Sequence, residues 1–592
     1  MSLAKYSEYS YDKFPVIGLP DSYAKGCYTG WLSILAEIKN KLDSIDKPVK
    51  VLVLEFYPGV LENEVYEAFR SAFPNALFIH SSQAMLEENE LNSLLKEDIT
   101  DDELFGYITR RNIDCYFDPA KVRSVRNLIT FSQDDLIIVY GTGAAYIQPD
   151  SDILVYADMA RWEIQKRFRQ NKIGNVGVSN VAERASLKYK RGFFVDWRIC
   201  DHFKKTLMNK WDYVLDTNTE NSPVMAEADV IKAGLEQAIR QPFRVVPFFD
   251  PGPWGGQWMK EVCDLDREAP NFAWCFDCVP EENSLLIRTG DTTIQIPAIN
   301  LVFAHPRELL GKPVHARFGD EFPIRFDFLD TMEGGNLSLQ VHPLIEYIQE
   351  KFGMHYTQEE SYYMLDAKED AVVYLGLRNG IDKDEMIRDL EASQQTGKFD
   401  AEKYVGVYPV KKHDHILIPP GTIHCSGTNG MVLEISATPF IFTFKLWDWG
   451  RLGLDGRPRP INIAHGKNVI QWERDENWVR SEGINCITTI EEGNGWREER
   501  TGLHECEFIE TRRHWFTKSV LHRTNGSVNV LNLVEGEEAV VESPTNAFAP
   551  FTVHYAETFI IPEAVKEYTI QPCGRSEGKE CATLKAYVRH HG

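Results

Sequence analysis

The chain has 592 residues, a formal net charge of −24 and 43% hydrophobic residues. Its length allows about three to four domains of ~150 residues each, and its composition is typical of folded globular proteins. So negative a chain repels phosphate, which argues against nucleic acid as its main partner.

Targeting and redox features point to a cytoplasmic protein. No stretch approaches the ~20 apolar residues of a membrane-spanning helix, and the N-terminus lacks the apolar core of a signal peptide. The 11 cysteines form no regular framework, which fits a reducing compartment. We therefore expect a cytoplasmic protein with neither a membrane nor a nucleic acid as partner.

Residues 1–240 alternate uninterrupted apolar segments with amphipathic ones. The run VKVLVLEFYPGV at 49–60 precedes ENEVYEAFRSAF, which has helical spacing, and DDLIIVYGTGAAYI and DILVYADM are further apolar segments. Apolar strands interleaved with helices are typical of α/β proteins with parallel sheets. We predict an α/β domain with a mostly parallel sheet over 1–240.

A glycine-rich stretch, YGTGAA at 140–145, follows one of these strands. Glycines let backbone N–H groups approach an anion. The chain has no G-x-x-x-x-G-K-[ST] motif, so this half only weakly resembles a P-loop kinase, one that lacks the lysine. Nearby charged residues form either a polar site at strand ends or ordinary salt bridges: Asp158, Arg161, Arg191, Asp196 and Arg198.

After about residue 245 the pattern changes to short alternating strands separated by Gly, Pro, Asn and Asp. This pattern is typical of antiparallel sandwiches and barrels. We predict a metal-binding β domain over 241–469 with a helical insertion near 380–400. A second β domain over 470–592 shows no cluster of His and Glu in its sequence, so we predict it to be metal-free.

Four polar residues in predicted strands make a candidate metal site. In SLQVHP, Gln340 and His342 are two apart and share one face of a strand. EESYYMLDA supplies Glu360, and IPPGTIHCSG supplies His424. Two imidazoles, a carboxylate and an amide oxygen suit Zn²⁺ with a position open to substrate. The alternative is that they are ordinary hydrogen-bonded polar residues.

A second histidine pair, His413 and His415 in KKHDHILIP, also has same-face spacing. Its place before the IPPGTIH strand favours solvated turn histidines over metal ligands.

Several longer motifs carry a family resemblance. FFDPGPWGGQWMKEVCDLD, FPIRFDFLDTMEGGNLSLQVHP, EESYYMLDAKEDAVVYLGL, ILIPPGTIHCSGTNGMVLEIS and LWDWGRLGLDGRPRPINI occur in this order. Over roughly 245–592 the chain resembles the class I (cupin-type) mannose-6-phosphate isomerases. The resemblance implies two cupin (double-stranded β-helix) barrels, the second without metal. It also implies one zinc ion per chain, bound by Gln340, His342, Glu360 and His424; iron, manganese or cobalt are alternatives.

The resemblance implies aldose–ketose isomerisation through a cis-enediol, in which a base moves a proton between C1 and C2. Glu434 in VLEIS is then a candidate acid/base, with a structural hydrogen bond as the alternative. Lys445 in FKLWDW stands where many relatives have an arginine near the reacting carbons.

Two further cationic positions of the family are altered here. Asp327 in PIRFDFLDT stands where relatives typically have lysine, and so does Gln358. Cations that could compensate in substrate binding are Arg325, Arg451 and Arg457. We therefore expect a zinc-dependent isomerase of a sugar or sugar phosphate. The alternative is a non-catalytic, metal-containing sugar-binding cupin with a regulatory kinase-like domain.

Overall fold

A computed structural model of the chain describes residues 11–437, 442–452, 459, 461–502 and 507–589. Within these residues the protein is mixed α/β and forms six β-sheets. Among the helices described, none combines the length and apolarity that crossing a membrane requires.

A seven-stranded sheet organises the N-terminal part of the chain. Its strand order is Cys27–Thr29, Val224–Glu227, Tyr213–Asp216, Ile153–Asp158, Lys50–Phe56, Leu136–Gly141 and Leu77–His80. The last five strands of this order pair in parallel. Val224–Glu227 pairs antiparallel with both of its neighbours, Cys27–Thr29 and Tyr213–Asp216. The parallel core predicted from the uninterrupted apolar runs is therefore present.

Helices connect these strands, and sheet and helices together are called the α/β region below. The α-helices are Gly30–Asp43, Glu62–Ala72, Glu88–Leu94, Lys96–Ile99, Pro119–Phe131, Ala144–Ile147, Arg161–Arg169, Ala185–Arg191, Trp197–Leu207 and Ala228–Ala238. A π-helical turn, Gly192–Asp196, joins two of them.

The glycine-rich loop of this region already binds an acidic group of the chain, the side chain of Glu55. Glu55 lies near the end of the central strand Lys50–Phe56 and is buried. Its two oxygens accept hydrogen bonds from the backbone N–H groups of Gly143 and Ala145, both at 2.7 Å. Burial raises the pKa of Glu55 to about 8, although these N–H groups oppose the shift. The groups that would cradle a phosphate are thus used by the chain itself.

The charged residues near these strand ends are paired. Arg161 bonds Asp201 at 2.6 Å, Arg191 lies 3.6 Å from Asp196, and Arg198 lies 3.8 Å from Glu321. Here the structure shows the salt-bridge alternative.

Asp158 has the most deeply buried partner. Lys204 donates to Asp158 at 2.7 Å, and Asn300 donates to the other oxygen of the same carboxylate at 2.7 Å. Asn300 belongs to the helix Ile299–Ala304, beyond the α/β region. A buried ionic network therefore joins the α/β region to the rest of the molecule.

Two antiparallel sheets follow, called the first sandwich. One has the order His415–Ile418, Glu360–Ala367, Gly430–Ser436, Arg325–Asp330, Trp274–Cys278 and Phe248–Asp250; the other has the order Val405–Pro409, Val372–Leu377, His424–Ser426, Leu339–Val341 and Phe444–Trp447. Helices of this part are Trp258–Val262, Ile299–Ala304, Pro306–Leu310, Lys312–Phe318, Ile345–Phe352, Lys383–Thr396 and Ala401–Tyr404. Lys383–Thr396 is the predicted helical insertion.

The second sandwich contains two further antiparallel sheets. One has the order Thr488–Gly493, Trp496–Gly502, Ile509–Phe516, Cys581–Val588, Asn529–Glu535 and Thr558–Ile561; the other has the order Val520–Arg523, Glu567–Pro572, Glu538–Glu542 and Phe551–His554. Leu531 and Phe559 from the first sheet pack with Val541 and Ile570 from the second in one buried cluster. Short helices Ile463–Gly466 and Glu476–Trp478 precede this sandwich.

A three-stranded sheet crosses the predicted boundary at residue 240. Val16–Leu19 pairs in parallel with Ser284–Thr289, which pairs in turn with Thr292–Pro297. The N-terminal segment thus adds a strand to a hairpin that follows the α/β region in sequence.

Replacing Lys204 tests the buried network. Lys204→Ala leaves the carboxylate of Asp158 buried with one partner fewer, so we expect a loss of about 3–5 kcal/mol in the free energy of unfolding. Lys205→Ala is the matched control, since Lys205 forms a partly exposed ion pair with Asp320. Such a pair contributes about 1 kcal/mol or less to the free energy of unfolding. Equilibrium urea unfolding measures both, and equal losses would contradict the assignment.

Candidate metal centre and adjoining cavity

Three of the four predicted ligands meet between the sheets of the first sandwich. His342 follows the strand Leu339–Val341, and Glu360 and His424 each begin a strand. Their exposed fractions are 0%, 2% and 0%. Nε2 of His342 lies 3.0 Å from one oxygen of Glu360, and Nε2 of His424 lies 2.6 Å from the other. These three residues are called the metal triad. Their ligand atoms lie within 4.8 Å of one another, and among the described residues this is the group close enough to hold a metal ion.

The hydrogen bonds of the two imidazoles show which ring nitrogen carries the proton and which directs a lone pair at the carboxylate. Nδ1 of His342 lies 3.1 Å from the carbonyl oxygen of Phe442, and Nδ1 of His424 lies 2.9 Å from that of Thr422. A carbonyl only accepts, so each Nδ1 carries a proton. In the neutral tautomer each Nε2 then directs its lone pair at Glu360. That arrangement needs positive charge between the three groups, as a bound cation or as imidazolium protons.

This donor set fits a divalent metal. Histidines that ligate metals usually donate their other N–H to a carbonyl or carboxylate, as both do here. Two imidazole nitrogens and one carboxylate are ligands that Zn²⁺ commonly takes, with a further position for water or substrate.

Gln340, the fourth predicted ligand, lies beside the triad. It is the direct antiparallel neighbour of His424, and its Nε2 lies 3.2 Å from Nε2 of His424. Gln358 donates to Glu360 at 3.1 Å. The amides of Gln340 and Gln358 lie between the triad and a neighbouring cavity, which both line.

The cavity has a volume of about 490 Å³ and lies between the first sandwich and the α/β region. On the side of the sandwich its polar lining includes Arg325, Asp327, Glu434 and Lys445. Asp327 and Glu434 are direct neighbours on adjacent strands. The volume is in the range of small-molecule sites.

Burial alters the protonation of these groups. Burial, with Glu360 adding to it, raises the pKa of Glu434 well above its usual range. Burial also raises the pKa of Asp327 to about 6, although Arg325 opposes this. Burial and the neighbouring Arg459 lower the pKa of Lys445 to about 7. Such shifts are common where acids and bases act in catalysis.

The predicted substrate-binding arginines differ in whether they line the cavity, and Arg325 does so. Nε of Arg325 lies 2.8 Å from Asp327, and Nη2 lies 3.8 Å from Glu434. Arg451 bonds Asp448 at 2.7 Å, away from the cavity lining. Arg457 lies outside the described residues. Arg459, which we did not predict, lines the cavity and bonds Asp448 at 2.9 Å.

The second histidine pair does not join the metal triad, but the expectation of a solvated turn is wrong for His415. His413 lies 2.9 Å from the Tyr363 hydroxyl and 3.1 Å from Glu535 of the second sandwich. His415 is fully buried, and burial, with Arg513 adding to it, lowers its pKa to about 3.

The second sandwich contains a histidine–glutamate cluster that the sequence analysis missed. The rings of His514 and His522 have centroids 4.4 Å apart, and Nε2 of His514 lies 3.1 Å from Glu498. Burial, with Lys585 adding to it, lowers the pKa of His514 to about 4. The alternation of polar and apolar residues within each strand did not reveal the cluster, because its members come from different strands.

Comparison with known proteins finds one family model and several isomerases. Residues 30–240 match a family model described as a domain of unknown function (DUF8485). The mannose-6-phosphate isomerase ManA of Bacillus subtilis is 23% identical over 304 residues, 51% of this chain and 88% of that protein. The probable mannose-6-phosphate isomerase GmuF of the same organism is 30% identical over 232 residues, 39% of this chain and 68% of that protein.

A crystal structure of mannose 6-phosphate isomerase from Bacillus subtilis aligns with a TM-score of 0.48 and 19% identity. That alignment covers 59% of this chain and 99% of the other.

The sandwiches and the triad describe a β-rich protein with a candidate metal centre, joined to an α/β region. By its relatives, the chain belongs to the mannose-6-phosphate isomerase family. The resemblance inferred from the sequence motifs is thereby confirmed.

Removing either imidazole should abolish metal retention. We expect His342→Ala and His424→Ala to weaken zinc binding at least about a hundredfold, because each removes one of the two imidazole ligands. His413→Ala is the control and should retain the metal. Mass spectrometry of metal content after zinc loading and dialysis measures this, and stoichiometric zinc in either triad variant would refute the ligand assignment.

Proposed function

We propose that the chain is a zinc-dependent aldose–ketose isomerase that acts on a sugar or sugar phosphate through a cis-enediol. In this proposal the two sandwiches are cupin barrels, the second metal-free, and Gln340 completes the ligand set with the metal triad. Family membership supports a sugar isomerase. Cytoplasmic location stays a prediction.

The proposal rests on one observation. Both imidazoles direct Nε2 at one buried carboxylate, and this metal triad lies next to a cavity whose lining contains groups with shifted pKa values. A divalent ion held there would act as a Lewis acid on a carbonyl or hydroxyl oxygen. The cavity lining would supply the remaining groups.

Glu434 is the proposed acid/base. Burial, with Glu360 adding to it, raises its pKa, and a carboxylate with a raised pKa is a stronger base once ionised. Arg325, held by Asp327, lies 3.8 Å from Glu434 and would orient it. Lys445, as an ammonium, would stabilise negative charge that develops on a substrate oxygen.

A sugar-binding protein without turnover is the second candidate. It is favoured by the three altered cationic positions, Asp327, Gln358 and Lys445, because the cavity then lacks groups on which relatives rely. A turnover assay separates the two candidates.

Glu434→Gln tests the acid/base role. Metal-loaded protein is incubated with mannose 6-phosphate, fructose 6-phosphate and free aldoses, and the conversion between aldose and ketose is followed. We expect kcat to fall about 10²–10⁴-fold with metal content unchanged. Glu333→Gln, at an exposed residue paired with Lys368, is the control. Unchanged kcat in Glu434→Gln would exclude Glu434, and no conversion of any sugar would favour the binding protein.

The pH dependence tests Lys445. Its ammonium form is lost as pH rises through about 7, so activity that needs this charge should fall above that pH. In Lys445→Arg the guanidinium stays charged, and the alkaline limb should move upward by more than one pH unit. The exposed substitution Lys368→Arg should leave the profile unchanged. If activity falls at the same alkaline pH in Lys445→Arg and in the wild type, a group other than Lys445 causes that fall.

A further inference from the structure

An irregular segment of the α/β region, residues 100–109, packs against the half of the chain that contains the metal triad. It is called the buttress segment below, and it forms neither a helix nor a strand. The backbone N–H of Ile108 donates to the carbonyl of Phe352 in the first sandwich at 2.9 Å. The carboxylate of Asp102 lies 3.0 Å from Nε2 of His465. These contacts hold the buttress segment in place against residues outside the α/β region.

Phe105 is the buried aromatic residue of this segment, with an exposed fraction of 1%. Its ring stacks on that of Phe442 with centroids 5.8 Å apart and planes 14° apart, and it meets the edge of Phe444 at 5.3 Å. A second residue of the α/β region, Phe194, makes an edge contact with Phe442 at 5.9 Å. Aromatic rings attract one another at these distances. The side chain of Phe442 is thus held partly by the α/β region.

Phe442 is also the hydrogen-bond partner of a metal ligand. Its carbonyl oxygen lies 3.1 Å from Nδ1 of His342 and accepts the proton on that nitrogen. A group that accepts this proton fixes the tautomer and the ring orientation of a metal-binding imidazole. The direction of Nε2 of His342 therefore depends on where Phe442 lies.

The other imidazole of the triad is oriented by a local contact. Nδ1 of His424 lies 2.9 Å from the carbonyl oxygen of Thr422, two residues earlier in the chain. That carbonyl lies directly before the strand His424–Ser426, within the first sandwich. His342 is thus the imidazole through which the α/β region can act on the metal triad.

We propose that Phe105 is a positioning residue for the metal triad, so that the α/β region sets the metal affinity of the first sandwich. The packing of Phe105 keeps the carbonyl of Phe442 in place, and that carbonyl orients His342 toward the ion. Because coupling between two equilibria is reciprocal, a bound metal also strengthens the packing of the buttress segment. This role rests on the metal-binding part of the proposed function and is independent of the sugar. It gives a function to part of the region matched by the domain of unknown function.

The zinc affinity of the full chain, measured by competition with a chromophoric chelator, tests Phe105. We expect Phe105→Ala to weaken zinc binding about tenfold, as happens when outer partners of metal ligands are lost. Phe105→Leu keeps a large apolar side chain at this position and should recover most of the affinity.

Phe69→Ala is the matched control. Phe69 has an exposed fraction of 0%, and its ring packs on Trp31 and Phe73, both in the α/β region. Its loss should destabilise the α/β region to a similar degree and leave the zinc affinity unchanged. Wild-type zinc affinity in Phe105→Ala, or an equal loss of affinity in Phe69→Ala, would overturn the inference.

Amide hydrogen exchange of the wild type gives a second test that requires no substitution. Zinc loading should slow the exchange of N–H groups in the buttress segment about tenfold, because the coupling factor is the same in both directions. The N–H of Ile108, which bonds Phe352, is one of them. The helix Pro119–Phe131 of the same region is the internal control and should exchange equally with and without zinc. Equal exchange of the buttress segment in both states would overturn the inference.

The outcomes separate this role from the isomerase proposal. Zinc binding by the wild type, with unchanged affinity in Phe105→Ala, would overturn the role of Phe105 and leave the isomerase intact. Weakened zinc binding in Phe105→Ala, without turnover of any sugar by the wild type, would support the role of Phe105 and refute the isomerase. A wild type that binds no zinc would overturn both.

Discussion

The site depends on a carboxylate enclosed by two imidazoles in the interior of the first sandwich. Glu360 faces Nε2 of both His342 and His424, while each Nδ1 is committed to a backbone carbonyl. Removed from water, such a carboxylate is stable only next to positive charge. The strands that deliver these side chains must therefore keep their register, because a shift of one residue would turn His424 to the opposite face.

The cavity acquires its chemistry from two parts of the chain that are distant in sequence. The first sandwich contributes the triad and the groups with shifted pKa values, and the α/β region contributes the opposite wall. Buried polar contacts hold these parts together, among them Asn300 with Asp158 and Gln165 with Glu282. The region matched by the domain of unknown function thus shares the cavity and polar contacts with the first sandwich.

Local patterns predicted what depends on neighbours in sequence. The parallel sheet followed from uninterrupted apolar runs, and the shared face of Gln340 and His342 followed from strand alternation. The backbone N–H groups of the glycine-rich loop do bind an acidic group, but it is the side chain of Glu55, 88 residues away, which no local pattern indicates. Nothing in the local pattern of Trp162 and Arg169 shows that their helix face packs on strand Phe248–Asp250. The burial of His415 was missed for a similar reason, since Arg513, which helps to lower its pKa, comes from the second sandwich.

The network of Asp158, Lys204 and Asn300 limits how the cavity can exchange its contents. Swinging the α/β region away would break the hydrogen bond from Asn300 to the carboxylate of Asp158, which is 1% exposed, and would open a buried contact. Large hinge opening is therefore disfavoured, so the α/β region and the first sandwich are expected to keep their relative position while the cavity fills or empties.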